Sequence, residues 1–315
     1  MSGRITAVER RATFMGFAAI GLWSLTLGLS RSASERLGPL TAAVAVYLVA
    51  GTIGLVRRAL WVPARATGQG VAGENGENIS PPISVIPALL CGALFVGYML
   101  ALYLAVGHAV SRVQVLEVGL LNYLWPVLTL LGTVTVLRHP AHAGRLAAGT
   151  ALALCGIAVT LAPAAGVPFA SVTEAPLPLA LGLVAAVLWA AYSVLVRRFT
   201  DAGSSTGPVE SYLIATAVLL ALPAALADEP RVFSMAALSQ VGLLGLSTGV
   251  AYLFWERAMA RGRLSAVIAA SYLTPLLATL FSAVWLGAWP AARLWLGCAL
   301  LVAGSVVSWS SLREG

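Results

Sequence analysis

Ten long apolar blocks divide this 315-residue chain, at about 12 to 30, 38 to 56, 83 to 106, 111 to 137, 144 to 162, 177 to 197, 209 to 227, 236 to 257, 263 to 287 and 293 to 310. Each is close to or longer than the roughly 20 residues a helix needs to cross a hydrocarbon core of about 30 Å. The blocks are continuous and do not alternate every second residue, which excludes the strands of a lipid-facing barrel. Helices then remain the only spanning structure that satisfies its own backbone inside lipid. The expected fold is an all-α integral membrane protein of ten transmembrane helices, TM1 to TM10. Composition agrees, with 59% of residues hydrophobic and 10% charged, where soluble domains have about 45–50% and 25%.

A formal net charge of +7 invites a nucleic-acid partner, but there is no lysine, and the 19 arginines are scattered through short connections without forming one basic face. The positive-inside rule accounts for them. With a cytoplasmic N-terminus, 14 fall inside: Arg4, Arg10, Arg11, Arg57, Arg58, Arg65, Arg138, Arg145, Arg197, Arg198, Arg257, Arg261, Arg263 and Arg313. Five fall outside (Arg31, Arg36, Arg112, Arg231 and Arg293), together with the acidic Glu174, Asp228 and Glu229. Both termini are therefore expected in the cytoplasm. The first block, at about 19 residues, exceeds the usual 7–15-residue core of a signal peptide and is read as an uncleaved helix. Cys91, Cys155 and Cys298 all lie within blocks, without metal-type spacing, and are expected to be buried small apolar residues. Residues 57 to 82 form a connection expected to be a flexible cytoplasmic loop, polar and glycine-rich from about Pro63 to Pro82.

An internal repeat organises the chain. A shift of 149 residues places Tyr103-Leu104 on Tyr252-Leu253, Arg112 on Arg261, Tyr123-Leu124 on Tyr272-Leu273 and Pro126 on Pro275; a shift of 148 places Gly149 on Gly297 and Gly156 on Gly304. Nearer the start of each half, a shift of 166 places Trp23 on Trp189. TM1 to TM5 (residues 1–165) thus recur as TM6 to TM10 (residues 166–315). Five is odd, so the second copy enters the membrane from the other side. Such inverted repeats suit secondary transporters, in which the halves exchange inward-open and outward-open shapes around a midplane site.

Pro126 and Pro275 are expected to break TM4 and TM9 at matching depth, because proline removes a backbone donor and clashes with the preceding turn. Asn122, Tyr123 and Tyr272 lie within one turn of them. Trp23, Tyr98, Tyr103, Trp125, Trp189, Tyr192, Tyr252 and Trp255 are also interior aromatics. Their polar N–H and O–H groups favour a hydrated cavity over lipid tails, although helix packing explains some of them equally well. Trp61, Trp285, Trp289, Trp295 and Trp309 lie at helix ends and read as an interfacial belt. A cavity walled by rings suits a planar apolar ligand.

Glu117 is an intramembrane carboxylate in TM4, and its repeat counterpart is Ala266. It binds a substrate ammonium, carries a proton, or pairs with Arg112 or His108. Glu256, beside Arg257 and Arg261, reads as part of an interfacial ion pair. Gly149 and Gly156, like Gly297 and Gly304, are seven apart and lie on one helix face, where they allow close helix contact. Gly245-Leu246-Ser247-Thr248-Gly249 has the spacing of a nucleophile elbow but falls within TM8, so no catalytic residue is expected. His139 and His142 lack a third ligand, and no phosphate-binding loop is present, so neither metal nor cofactor is expected.

The repeat and its paired prolines resemble the drug/metabolite transporter superfamily over essentially the whole chain. The segment Asn122-Tyr123-Leu124-Trp125-Pro126, followed by Leu128-Thr129, is similar to that of the YddG-type aromatic amino acid exporters of Gram-negative bacteria. The resemblance implies an inner-membrane protein with a basket-like cavity lined by TM1, TM3, TM4, TM6, TM8 and TM9. It implies a cargo of amino acids such as phenylalanine, tyrosine and tryptophan, and a monomer in contact with lipid. The four-helix multidrug members of the superfamily use a carboxylate in their first helix for proton exchange. TM1, read as residues 12 to 30, has none, so facilitated diffusion is expected.

Overall fold

A computed structural model describes residues 6–61, 84–162, 175–202 and 207–312. Thirteen helices are present among these residues: α1 (Ala7–Trp23), α2 (Thr26–Leu37), α3 (Pro39–Trp61), α4 (Val85–His108), α5 (Arg112–Asn122), α6 (Trp125–Thr135), α7 (Ala143–Leu161), α8 (Pro176–Asp201), α9 (Val209–Leu226), α10 (Met235–Arg261), α11 (Leu264–Ser271), α12 (Thr274–Leu286) and α13 (Ala292–Trp309). They compose ten apolar spans. TM1 is α1 with α2, TM4 is α5 with α6, TM9 is α11 with α12, and the other seven are single helices. The protein is an all-helical, multi-pass membrane protein.

The spans run beyond the apolar windows wherever polar side chains have their needs met. TM1 extends over Ala7–Leu37, past the window of 12 to 30, because Arg31 and Glu35 in α2 are engaged with neighbouring groups. Glu9 and Glu35 therefore lie in TM1 after all, each within a turn or so of an end. TM2 continues through Arg57 and Arg58 to Trp61, so the first part of the expected 57–82 loop is helix. Basic side chains there complement the negative end of the helix dipole. The rest of that loop, with Arg4, Arg65, Glu174, Arg313 and the side chains of Trp61, Glu256 and Arg261, lies outside the described residues.

Three spans are interrupted. In TM4 the break falls at Tyr123 and Leu124, and in TM9 at Tyr272 and Leu273; in each, proline occupies the first turn of the following helix. That is where a missing N–H costs no hydrogen bond within the new helix. Pro223 lies inside α9, which continues through it, so proline does not by itself break a span here. TM1 is interrupted at Ser24 and Leu25 without any proline, whereas TM6 is unbroken over Pro176–Asp201.

The principal helix contacts are TM5 with TM10, TM2 with TM7, TM3 with TM6, and TM1 with TM8. Exchanging each span for the one five further on maps the first two pairs onto themselves and swaps the last two. Close approach of TM5 and TM10 rests on glycine. A Cβ added to Gly156 would stand 2.5 Å from the Gly297 carbonyl oxygen, and one added to Gly149 would stand 2.6 Å from that of Gly304. No side chain larger than hydrogen fits between these backbones, which pack as small-residue membrane interfaces do.

Outward helix faces carry Leu154, Val187, Leu219, Leu222, Leu246 and Leu296, all exposed, as a lipid-facing surface requires. Cys91 and Cys298 are buried, but Cys155 is exposed among these residues on α7. Its expected burial is corrected: a thiol is apolar enough to face lipid.

Candidate functional site

The central feature is a connected chain of nine aromatic rings from six spans. Trp189 of TM6 is its hub, with ring centroids 4.7 Å from Tyr98, 5.3 Å from Tyr192, 6.1 Å from Phe95 and 6.4 Å from Trp125. Phe95 continues to Tyr212 at 5.6 Å and to Tyr252 at 5.9 Å. Tyr252 meets Trp23 at 5.3 Å, and Trp23 meets Trp255 at 5.1 Å. These spacings lie in the range where offset and edge-to-face ring pairs attract. Trp23, Tyr98, Trp125, Trp189, Tyr192 and Trp255 are only partly buried, so the chain keeps accessible ring surface.

The repeat-related pair Trp23 and Trp189 is thus joined through Tyr252 and Phe95. Not every interior aromatic takes part. Tyr103 packs on Tyr47 at 5.6 Å, and Tyr272 lies 6.4 Å from Trp309 of TM10. Tyr123 is 7% exposed within the packed core around TM4. Asn122 is buried beside the Tyr98 hydroxyl at the TM4 break. Phe95 and Tyr212, which sequence reasoning passed over, are members of the chain. Phe95 precedes Tyr98 by three residues and therefore shares its helix face. Tyr212 stands near the polar start of TM7, where its hydroxyl donates to the Ala88 carbonyl at 3.1 Å.

One end of the bundle carries a polar latch where TM1, TM3 and TM9 end and TM4 begins. Arg112, at the start of TM4, donates from Nη2 to Glu35 of TM1 at 2.9 Å and from Nη1 to the Leu286 carbonyl of TM9 at 2.8 Å. Arg31 donates to Glu35 at 2.8 Å and to the TM3 terminal carbonyls of Ala109 at 2.7 Å and Val106 at 3.0 Å. The Trp285 indole N–H donates to the Ser32 hydroxyl at 2.8 Å. On the same face, Glu229 accepts from the N–H groups of Leu40 and Thr41, both at 2.8 Å, and so caps TM2. Gly38, with φ of 83°, makes room for Glu229, whose side chain a Cβ there would strike.

Glu117 is 3% exposed on α5. Arg112 donates to Glu35 and to the Leu286 carbonyl, and His108 is exposed at the end of TM3. Ser247 lies in mid-helix, its hydroxyl donating to Leu244 at 3.0 Å. Its flanking Gly245 and Gly249 press against Val49 and Ala50 of TM2, so the elbow-like spacing is helix packing. His142 donates its backbone N–H to the Ser311 carbonyl at 2.8 Å. No group of three or more metal-ligating side chains occurs among the described residues.

A broken-helix bundle with a connected chain of rings suits a membrane transporter, and comparison with known proteins specifies the class. Residues 177–310 match the EamA-like transporter family. The aromatic amino acid exporter YddG of Ancylobacter novellus is 31% identical, with 94% of this chain and 96% of that protein covered. The proteins of the same name from Escherichia coli and Salmonella typhimurium are 29% and 28% identical, covering 98% and 97% of this chain and 99% of each of theirs. A crystal structure 29% identical in sequence superposes with a TM-score of 0.65, covering 95% of this chain and 98% of that one. The chain belongs to the EamA-like family of the drug/metabolite transporter superfamily, with these exporters among its relatives.

Proposed function

We propose that this protein exports aromatic and other apolar amino acids across the bacterial inner membrane, with both termini in the cytoplasm. It does so by alternating access between two inverted five-helix halves, with the substrate ring held among Trp23, Tyr98, Trp125, Trp189, Tyr192 and Tyr252. The observation that carries this reading is the nine-ring chain centred on Trp189. It presents aromatic faces from both halves at the breaks of TM1 and TM4, and a substrate ring can exchange contacts along it without meeting an apolar gap. The names of the three relatives point to the same cargo. Glu9 and Glu35 both stand near the ends of TM1, Glu35 within the latch, so neither is placed in mid-membrane to carry a proton. Movement down a gradient is the simpler mechanism for TM1, and Glu117 of TM4 is the buried carboxylate left to test for proton coupling.

Proteoliposomes test the assignment. Vesicles preloaded with unlabelled phenylalanine should accumulate labelled phenylalanine by counterflow, with threonine slower and a sugar phosphate no faster than in empty liposomes. Flux of sugar phosphate without flux of any amino acid would move the protein to another branch of the superfamily.

A further inference from the structure

The breaks in TM4 and TM9 look equivalent in sequence, yet they differ in how the donor lost to proline is replaced. In a continuous helix the N–H at position 126 would bond the carbonyl of Asn122, and the N–H at 275 that of Ser271. Proline removes both donors. In TM9 the loss is made good: the Thr274 hydroxyl donates to the Ser271 carbonyl at 2.6 Å. Trp125 stands where Thr274 stands and has no hydroxyl to give. The backbone bonds across the TM4 break run from Tyr123 to Gly119, from Leu124 to Leu121 and from Leu128 to Leu124. Pro126 thus takes from the Asn122 carbonyl its i+4 helix donor, and no hydroxyl stands at the Thr274 position to replace it.

The Asn122 side chain carries an open acceptor. Its Oδ1 has no partner, and the residue is 5% exposed. A buried acceptor without a donor is a state native structures rarely leave standing without a reason, and here it belongs to the residue whose carbonyl has lost its i+4 helix donor. The Tyr98 hydroxyl lies alongside, and Trp125 and Trp189 of the ring chain are near neighbours. An ammonium has three N–H donors and no acceptor. It satisfies both oxygens, and the indole faces attract it through their quadrupoles.

We infer that Asn122, through its backbone carbonyl and Oδ1 together, is the ammonium-binding subsite of the transport site and selects substrates that carry a primary amine. The inference rests on the proposed export of amino acids, and its test separates the two.

Two analogues each retain one half of the phenylalanine zwitterion. Phenethylamine keeps the ammonium, and 3-phenylpropionate keeps the carboxylate. Against labelled phenylalanine counterflow, phenethylamine is expected to compete in the wild type at least about tenfold better than phenylpropionate. Asn122→Leu removes the Oδ1 acceptor at similar volume. It should weaken phenethylamine and phenylalanine by about tenfold, the effect of about 1.4 kcal/mol, while leaving phenylpropionate within about twofold. Asn122→Asp retains an acceptor oxygen and should restore phenethylamine binding.

Tryptophan fluorescence of the purified protein titrated with phenethylamine gives the same ranking without transport, so the subsite is judged even if phenylalanine proves not to be the cargo. Equal weakening of all three compounds by Asn122→Leu, or equal binding of both analogues to the wild type, would overturn the inference.

Discussion

Trp189→Ala is expected to lower phenylalanine counterflow by at least about tenfold, the largest loss from any single ring. The indole meets four other rings, those of Phe95, Tyr98, Trp125 and Tyr192. An aromatic pair contributes about 0.5–1.5 kcal/mol beyond the area it buries, and every 1.4 kcal/mol corresponds to about tenfold in binding. A substrate ring that loses this hub loses its own contact and the arrangement of its neighbours. Trp189→Phe keeps a ring in place and should retain most of the flux. Trp285→Phe changes a ring at the latch, 5.8 Å from Phe281, and should leave the choice among aromatic substrates unaltered. Equal flux in Trp189→Ala and wild type would remove the ring chain from the transport route.

The second large effect is expected at the latched end. Arg112→Ala deletes the bonds that tie TM4 to Glu35 of TM1 and to the Leu286 carbonyl of TM9. Arg112 is half exposed and Glu35 less so, so the ion pair contributes at most about 1 kcal/mol. The bond to the TM9 carbonyl adds about as much. A total of about 1–2 kcal/mol changes the ratio of open to closed molecules by roughly five- to thirtyfold.

Ser34, next to Glu35 in α2, is buried at 6% exposure. In a background without the three native cysteines, a Ser34→Cys thiol should therefore react with an impermeant maleimide several-fold faster once Arg112 is removed. High salt should accelerate the reaction in the protein with Arg112 intact and have little effect in Arg112→Ala, because salt screens partly exposed pairs. Unchanged labelling in the variant would mean that the latch is not what holds this end closed.

Legibility in the sequence followed from how local each cause was. The ten spans could be read because membrane crossing is written in length and hydropathy, both properties of contiguous residues. Proline marks the TM4 and TM9 breaks in the same way. The TM1 break at Ser24 and Leu25 has no proline, and nothing in its window announces it. Polar residues hid the true extent of TM1, since Arg31 and Glu35 look unsuited to a span until Val106, Ala109 and Arg112 are placed around them. Those partners are more than 70 residues away. Phe95 was passed over because a phenylalanine in an apolar helix looks like lipid-facing filler, and only the packing of TM3 against TM6 turns it toward Trp189. Tyr103 and Tyr272 carry the same chemistry as Tyr98 and Tyr252, but helix rotation aims them at Tyr47 and Trp309. The contrast between Trp125 and Thr274 stands openly in the aligned repeats. Its meaning emerged only once the hydrogen bond of each carbonyl was accounted for.

The account depends most on the second five spans being an upside-down copy of the first, so that the space around Trp189 opens to each compartment in turn. Single cysteines at Arg58, Asp201, Glu35 and Glu229, probed from each side of the membrane with impermeant maleimide, test this directly. Arg58→Cys and Asp201→Cys should react only from the cytoplasmic side, and Glu35→Cys and Glu229→Cys only from the opposite side. If Arg58→Cys and Asp201→Cys reacted from opposite sides, the two halves would not be inverted and alternating access between them would be ruled out.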